Sequence, residues 1–230
     1  MKVIIITGVS RGLGKAFFDI LKDKEYYLIC ISRSFIDYQN KLAESDNIEL
    51  IKFDLNDIND LTLKLNNAII LKKCDFDELI FINNAGVISP IGKVGNIDEK
   101  NIRKSININL VSPILISNYL SAFCSKNKIK FKIINISTGA ADKPFEGWSI
   151  YCSTKSAAKM FFNVIEKEND NVVVANIDPG VLNTSMQKEI RNADKSYFPL
   201  VDYFKNLGEK GELKEPSQVA LNILRNNGLI

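Results

Sequence analysis

Short apolar runs rich in β-branched residues alternate along this chain with longer stretches whose apolar positions recur at helical spacing. The runs at 3–7, 27–32, 48–53, 78–83, 131–137 and 172–177 have the length of strands. The stretches 12–22, 57–72, 99–126 and 149–168 predict helices between them, and 216–226 predicts a last one. Strands that alternate with helices indicate βαβ units and a parallel sheet. Runs such as V-I-I-I-T and L-I-F-I-N are apolar at nearly every position. That suits a sheet covered on both faces. The expected fold class is therefore α/β, one doubly wound domain over 1–230 with a mainly parallel sheet flanked by helices. No internal repeat, low-complexity tract or linker divides it. After Ile177 the pattern changes. The segment 181–215 mixes Asn, Lys, aromatics and Gly. It is too long for an ordinary connection and reads as a partly helical substrate lid.

Composition narrows the chemistry. The 230 residues carry a net charge of +3, with scattered lysines, so no nucleic-acid footprint is expected. The lysine-rich blocks at 126–132 and 205–214 read as solvated faces. No run approaches 18 consecutive apolar residues, and no membrane span is expected. The apolar run that opens the chain is short and is interrupted by Gly8, unlike a signal peptide. The four cysteines (Cys30, Cys74, Cys124 and Cys152) are far apart in sequence. They read as reduced thiols in a cytoplasmic protein. There is no histidine. Without it and without a C-x-x-C pair, no metal is expected. Acid–base chemistry must then come from Tyr, Lys, Cys or a carboxylate.

Several motifs supply candidates. The loop T-G-V-S-R-G-L-G follows the first strand and opens the first helix, the context in which glycines matter. Gly8 can make the tight turn, Gly12 admits a pyrophosphate and Gly14 lets helix and strand pack closely. The helix N-terminus offers free N–H groups and a positive dipole end. The spacing is G-x-x-x-G-x-G rather than G-x-G-x-x-G. An acidic residue at the end of the second strand would bind the ribose 2′-hydroxyl of NAD. Ser32 and Arg33 stand there instead, and Arg11 lies in the loop. Two guanidinium groups favour a 2′-phosphate, hence NADP(H). Asp54 ends the third strand and is a partner for the adenine amino group or, alternatively, a cap for the helix from 57. The small residues of I-N-N-A-G end the fourth. Finally, Tyr151 and Lys155 are spaced i, i+4 on one helix face.

These motifs, in this order, resemble the short-chain dehydrogenase/reductase family over nearly the whole chain. The resemblance rests on Thr7-Gly8-x-x-x-Gly12-x-Gly14, Asn83-Asn84-Ala85-Gly86, Asn109, the hydroxyl residues after the fifth strand, Tyr151-x-x-x-Lys155 and Pro179-Gly180. The runs 135–155 and 178–187 are similar to sepiapterin reductases and bacterial benzil reductases of that family. The resemblance implies a Rossmann-type NADP-binding domain and an NADPH-dependent carbonyl reductase acting on a ketone or vicinal diketone. An alcohol dehydrogenase of another substrate class and a non-catalytic dinucleotide sensor are the alternatives.

Roles follow from the same resemblance. Tyr151 is the general acid. Lys155 binds the nicotinamide ribose, and its ammonium is expected to lower the phenol's pKa. Asn109 holds a relay water, with Asn107 as the neighbouring alternative or a polar residue on the exposed helix face. Thr138 occupies the family's serine position and polarises the carbonyl, with Ser137 as the alternative. Ser10, Arg11, Leu13, Arg33, Asp54, Asn84, Ala85, Gly86, Tyr151, Lys155, Pro179, Gly180, Leu182 and Thr184 join the glycines in cofactor binding. Phe145, Trp148, Leu182 and Met186 form the substrate pocket, with Tyr197 and Phe198 as lid aromatics. The family's usual final strand is missing after 226. The acidic residue that recognises pterin in sepiapterin reductases lies in that strand, so a simpler diketone is favoured. A homodimer or tetramer is expected.

Overall fold

The computed structural model describes residues 1–43, 45–71 and 76–230. Its centre is a sheet of β1 (Lys2–Thr7), β2 (Tyr26–Ser32), β3 (Ile48–Lys52), β4 (Glu78–Asn83), β5 (Lys130–Ile136) and β6 (Val172–Ile177). All neighbouring strands are parallel, in the order β3-β2-β1-β4-β5-β6. Alternate residues of each strand point to opposite faces. Val3, Ile5, Ile29, Phe81 and Ile133 face one way, under α3 (Leu61–Leu71), α5 (Ser112–Asn127) and α6 (Ser149–Glu168). Ile4, Ile6, Leu28, Ile80 and Ile134 face the other, under α1 (Gly12–Leu21) and α9 (Pro216–Asn226). Both faces are dry, which is why the strands are apolar throughout. Tyr26 donates its hydroxyl to the Leu229 carbonyl at 2.8 Å, tying the last residues to the edge of this second layer.

Some elements differ from the pattern-based expectation. Helix α3 begins at Leu61, not at 57. The Asp57 N–H bonds back to the Asp54 carbonyl, and Asp60 has a φ of 57°. The chain is therefore still turning where Asp57 was expected to start a helix. The expected end of that helix at Lys72, and Cys74, lie outside the described residues. A short helix, α2 (Asp37–Leu42), was not anticipated. Its buried Gln39 donates to the Val9 carbonyl at 2.9 Å. The stretch 99–126 is two helices, α4 (Glu99–Ile106) and α5, joined by a π-helical turn, Asn107–Val111. By length and apolarity alone this continuous stretch could cross a membrane, but half of its apolar window is buried. Ile108, Ile116 and Leu120 are part of the core under the sheet. The segment 181–215, expected as a lid, holds α7 (Ser185–Arg191) and α8 (Val201–Glu209). Its ends are clasped by two hydrogen bonds of 2.9 Å, Asn183 N–H to Lys214 O and Lys214 N–H to Val181 O. The described residues form six strands and no seventh.

β1 and β4 are neighbours, but their following connections diverge to opposite sides of the sheet. A crevice opens at their carboxyl ends, the usual ligand position in such sheets.

Candidate active site

A cavity of about 460 Å³ occupies that crevice. Its first wall is the glycine loop. Gly8 and Gly12 have φ values of 76° and 56°. At Gly14 a Cβ would lie 2.1 Å from the Gly8 carbonyl oxygen and 2.4 Å from Asn84 Nδ2, so no side chain fits. The Thr7 hydroxyl accepts the N–H groups of Asn84 and Ala85 at 3.1 and 3.0 Å, and Asn84 Nδ2 donates to Thr7 O at 2.8 Å. These bonds bind the end of β1 to the end of β4. Helix α1 starts here without a side-chain cap and without an acidic residue in its first turn. Its leading N–H groups and dipole are thus available to an anion.

Ser10, Arg11, Leu13, Ser32, Arg33 and Asp54 line the same end of the cavity. Among the described ion pairs neither arginine has a carboxylate partner. The Ser10 and Ser32 hydroxyls bond to each other at 3.3 Å. Asp54 accepts the Asn56 N–H at 3.0 Å, so it caps a turn rather than α3.

The other end is built by α6. Tyr151, Thr154, Lys155, Ala158, Phe162 and Ile165 are its buried stripe, at the 3–4 residue spacing of one helix face. Tyr151 and Lys155 are 7% exposed each. The Lys155 ammonium donates to the Ile136 carbonyl at 2.9 Å. It also lies beside Gly86, where a Cβ would be 3.7 Å from it. Thr138, the N-cap of the turn Gly139–Ala141, receives the Ala140 N–H at 3.3 Å, and its side chain lies close enough to the Tyr151 phenol to lower that group's pKa. The neighbouring Ser137 hydroxyl is buried without a partner among the described residues.

Burial dominates the protonation of both groups. It pushes the Tyr151 phenol up to about 12, the nearby Thr138 hydroxyl opposes this, and Asp178 and Cys152 add to it. It also pulls Lys155 down to about 8. The expected lowering of Tyr151 by Lys155 is therefore not found. A buried ammonium is itself destabilised, and here it is aimed at a carbonyl rather than at the phenol.

The π turn of Asn107–Val111 carries Asn109. Its Oδ1 accepts the Val87 N–H and its Nδ2 donates to the Val87 carbonyl, both at 2.9 Å. Asn107 instead donates to the Asn56 carbonyl at 3.0 Å, bracing the loop after β3 rather than facing solvent. Below the site a chain of amides runs across three strands. Asn83 donates to Asn135 at 2.8 Å, Asn135 to Asn176 at 2.7 Å and Asn176 to Asn163 of α6 at 2.8 Å. It holds the ends of β4, β5 and β6 in register under Lys155.

The remaining wall is apolar. Trp148 is 5% exposed and stacks on Phe198 at 4.7 Å, with the Tyr151 ring edge-on at 5.7 Å. It therefore serves both the core and the cavity. Phe145, Leu182, Met186 and Thr184 line the cavity, as do Pro179 and Gly180. The expected lid aromatics do not. Phe198 is fully buried behind Trp148, and Tyr197 is 42% exposed outside the cavity. Tyr203 and Phe204 of α8 take their place. Ile88, Asp178, Gln187 and Ile190 also line the cavity and were not singled out from the sequence. Met186 and Ile190 are one helical turn apart, a spacing that could have marked the face of α7. The Gln187 amide is buried with no hydrogen-bond partner among the described residues.

This sheet order, glycine loop and Tyr–Lys helix define a class. The family model of short chain dehydrogenases matches residues 2–195, and the chain belongs to that family of oxidoreductases. It is 34% identical to a benzil reductase ((S)-benzoin forming) of Bacillus cereus, over 96% of this chain and 91% of that protein. It is 29% identical to the sepiapterin reductase of Meriones unguiculatus, over 97% of this chain and 91% of that protein. Among solved structures, the KRED1-Pglu enzyme superposes with a TM-score of 0.83 at 26% identity, covering 96% of this chain and 92% of that one.

Proposed function

We propose that this protein is an NADPH-dependent carbonyl reductase acting on ketones or vicinal diketones of the benzil type. The observation that carries the reading is the buried Tyr151–Lys155 pair with Thr138 beside the phenol, at one end of a cavity whose other end is an uncapped helix N-terminus with two arginines that have no carboxylate partner among the described residues. A bound NADPH supplies the hydride. The glycine loop and the first N–H groups of α1 hold its pyrophosphate. Arg11 and Arg33, with Ser10 and Ser32, hold the 2′-phosphate by charge-assisted bonds. Asp54 takes the adenine end. Lys155, Asn84 to Gly86, and the segment from Pro179 to Thr184 fit the nicotinamide ribose and carboxamide.

Tyr151 holds a proton at its phenol oxygen and gives it to the substrate carbonyl oxygen as carbon accepts the hydride. A phenol pushed up to about 12 holds its proton in the cofactor-free chain, and positive charge beside it would have to bring it toward the working range for efficient transfer. The Thr138 hydroxyl bonds the same carbonyl oxygen and fixes it against the phenol. Lys155, charged below about 8, places a positive charge near the forming phenolate. Asn109 anchors the backbone at Val87, beside the reacting centre. Phe145, Trp148 and Met186 provide a flat apolar wall for an aromatic substituent. The free thiols of Cys30, Cys124 and Cys152 support a cytoplasmic setting.

The reading is tested by following NADPH oxidation with benzil and smaller diketones. Turnover with NADPH well above that with NADH is expected. Equal rates with the two cofactors would remove the 2′-phosphate assignment, and no turnover with any diketone would remove the reductase assignment.

A further inference from the structure

The two arginines of the glycine-loop end stand on separate segments. Arg11 lies in the loop after β1, and Arg33 opens the connection from β2 to α2. The segments are tied at their base, where the Gly8 N–H bonds the Ile31 carbonyl at 2.8 Å. Inside the cavity the Ser10 and Ser32 hydroxyls meet at 3.3 Å. Both bonds come before Arg33 along its segment, so they fix only the near side of that connection.

Gln39 fixes the far side. Helix α2 starts after Ile36, an N-cap whose side chain has no atom to accept a hydrogen bond. Gln39, the third residue of the helix, reaches back instead, and its Oε1 accepts the Ile36 N–H at 3.2 Å. Its Nε2 donates to the Val9 carbonyl at 2.9 Å. One amide thus joins a residue two places before Arg11 to a residue three places after Arg33. Gln39 and Val9 are both fully buried, and neither lines the cavity, so the amide acts from behind its wall. The helix that carries it is held on α1, because the Tyr38 hydroxyl donates to the Asp19 carboxylate, which also takes the Lys15 ammonium at 2.7 Å.

We infer that Gln39 is a positioning residue for cofactor choice, which holds the segment of Arg33 against the loop of Arg11 so that both guanidinium groups reach one 2′-phosphate. The inference rests on the NADPH reading above. Arg11 and Arg33 are exposed, and exposed side chains lose freedom when they converge on an anion. A segment clamped at both ends has already lost much of that freedom. Without the clamp the ordering falls on the binding step, at about fivefold in affinity for the phosphate-bearing cofactor. NADH has no 2′-phosphate and makes no use of the clamp.

The test compares NADPH with NADH on the full chain by calorimetric titration. Gln39→Met keeps the length of the side chain and removes both amide bonds. It is expected to lower the NADPH-over-NADH affinity ratio by about fivefold, while NADH affinity changes less than about twofold. A merely structural role would weaken both cofactors alike, and that result, or an unchanged ratio, overturns the inference. An unmodified chain that binds the two cofactors equally refutes the 2′-phosphate reading and the inference with it. A preference that survives Gln39→Met in full refutes the inference and leaves that reading standing. If the variant does not fold, amide exchange in the unmodified chain decides. Saturating NADPH should slow exchange of the Ile36 N–H about fivefold more than saturating NADH, because NADPH alone draws on the clamped geometry. Equal slowing by the two cofactors overturns the inference.

Discussion

The two ends of the cavity are made in different ways. The glycine-loop end is mostly backbone: a tight turn, a bare helix N-terminus and short strand ends, all from contiguous motifs. The substrate end is mostly side chain, drawn from the loop after β4, the segment before α6, the end of β6 and both lid helices. Backbone recognition tolerates no added atoms but needs few particular side chains. Side-chain recognition can be rebuilt by substitution while the fold stays. One sheet can thus carry a constant cofactor end and a substrate end free to vary.

The difference can be tested from either side. The largest effect is expected at Tyr151. Tyr151→Phe removes the transferable proton and should lower kcat by about 10²–10⁴-fold, while NADPH affinity, set at the other end, stays within a few-fold. Steady-state kinetics and a binding titration separate the two. A parallel loss of cofactor binding would mean that the ends are not independent.

Gly14→Ala attacks the backbone end. With a Cβ only 2.1 Å from the Gly8 carbonyl, the loop must move. A loss of about 3 kcal/mol or more in denaturant unfolding, together with weakened NADPH binding, is expected. A comparable small change on the substrate wall should leave stability far less affected.

Lys155 supplies a pH dependence. Its pKa falls from 10.5 unfolded to about 8 folded. Between these values the unfolded chain binds more protons, so stability rises with pH through this window. The group's destabilisation is full below about 8 and gone above 10.5, a difference of about 3 kcal/mol for the cofactor-free chain. Tyr151 acts oppositely above pH 10, because its raised folded value makes stability fall as the phenol ionises. Unfolding at pH 8, 9 and 10 should show the rise, and Lys155→Met should abolish it.

The smallest effect is at the rim. Arg33→Ala removes one guanidinium from the proposed 2′-phosphate site and should reduce the NADPH-over-NADH preference in kcat/KM by about tenfold, with little change in stability. An unchanged ratio would leave Arg11 as the sole discriminator.

Much of the cofactor end was legible from the chain alone because its chemistry is local. Gly8, Gly12 and Gly14 lie within one turn and one helix start, and Tyr151 and Lys155 share a helix face by spacing. The substrate end was legible only in part. Phe145, Trp148, Leu182 and Met186 line the cavity, but Phe198 went to the core and Tyr203 and Phe204 stand in its place. Aromatic residues in a mixed segment carry no periodicity that says which side they face. The same limit hid α2, the turns before α3 and the bounds of the helices within 181–215, which are short and held by distant contacts such as Gln39 to Val9.

Local patterning of the sequence was enough to determine the six parallel strands, the covered sheet, the glycine loop and the pairing of Tyr151 with Lys155. Periodicity and turn chemistry act over a few residues, and these features need no more. Only the tertiary structure decided that Thr138 rather than Ser137 lies beside the phenol, that Lys155 turns to the Ile136 carbonyl, and that four asparagines form one chain across the sheet. Each of these depends on which way a side chain points once distant strands and helices are packed, and on the water that packing removes.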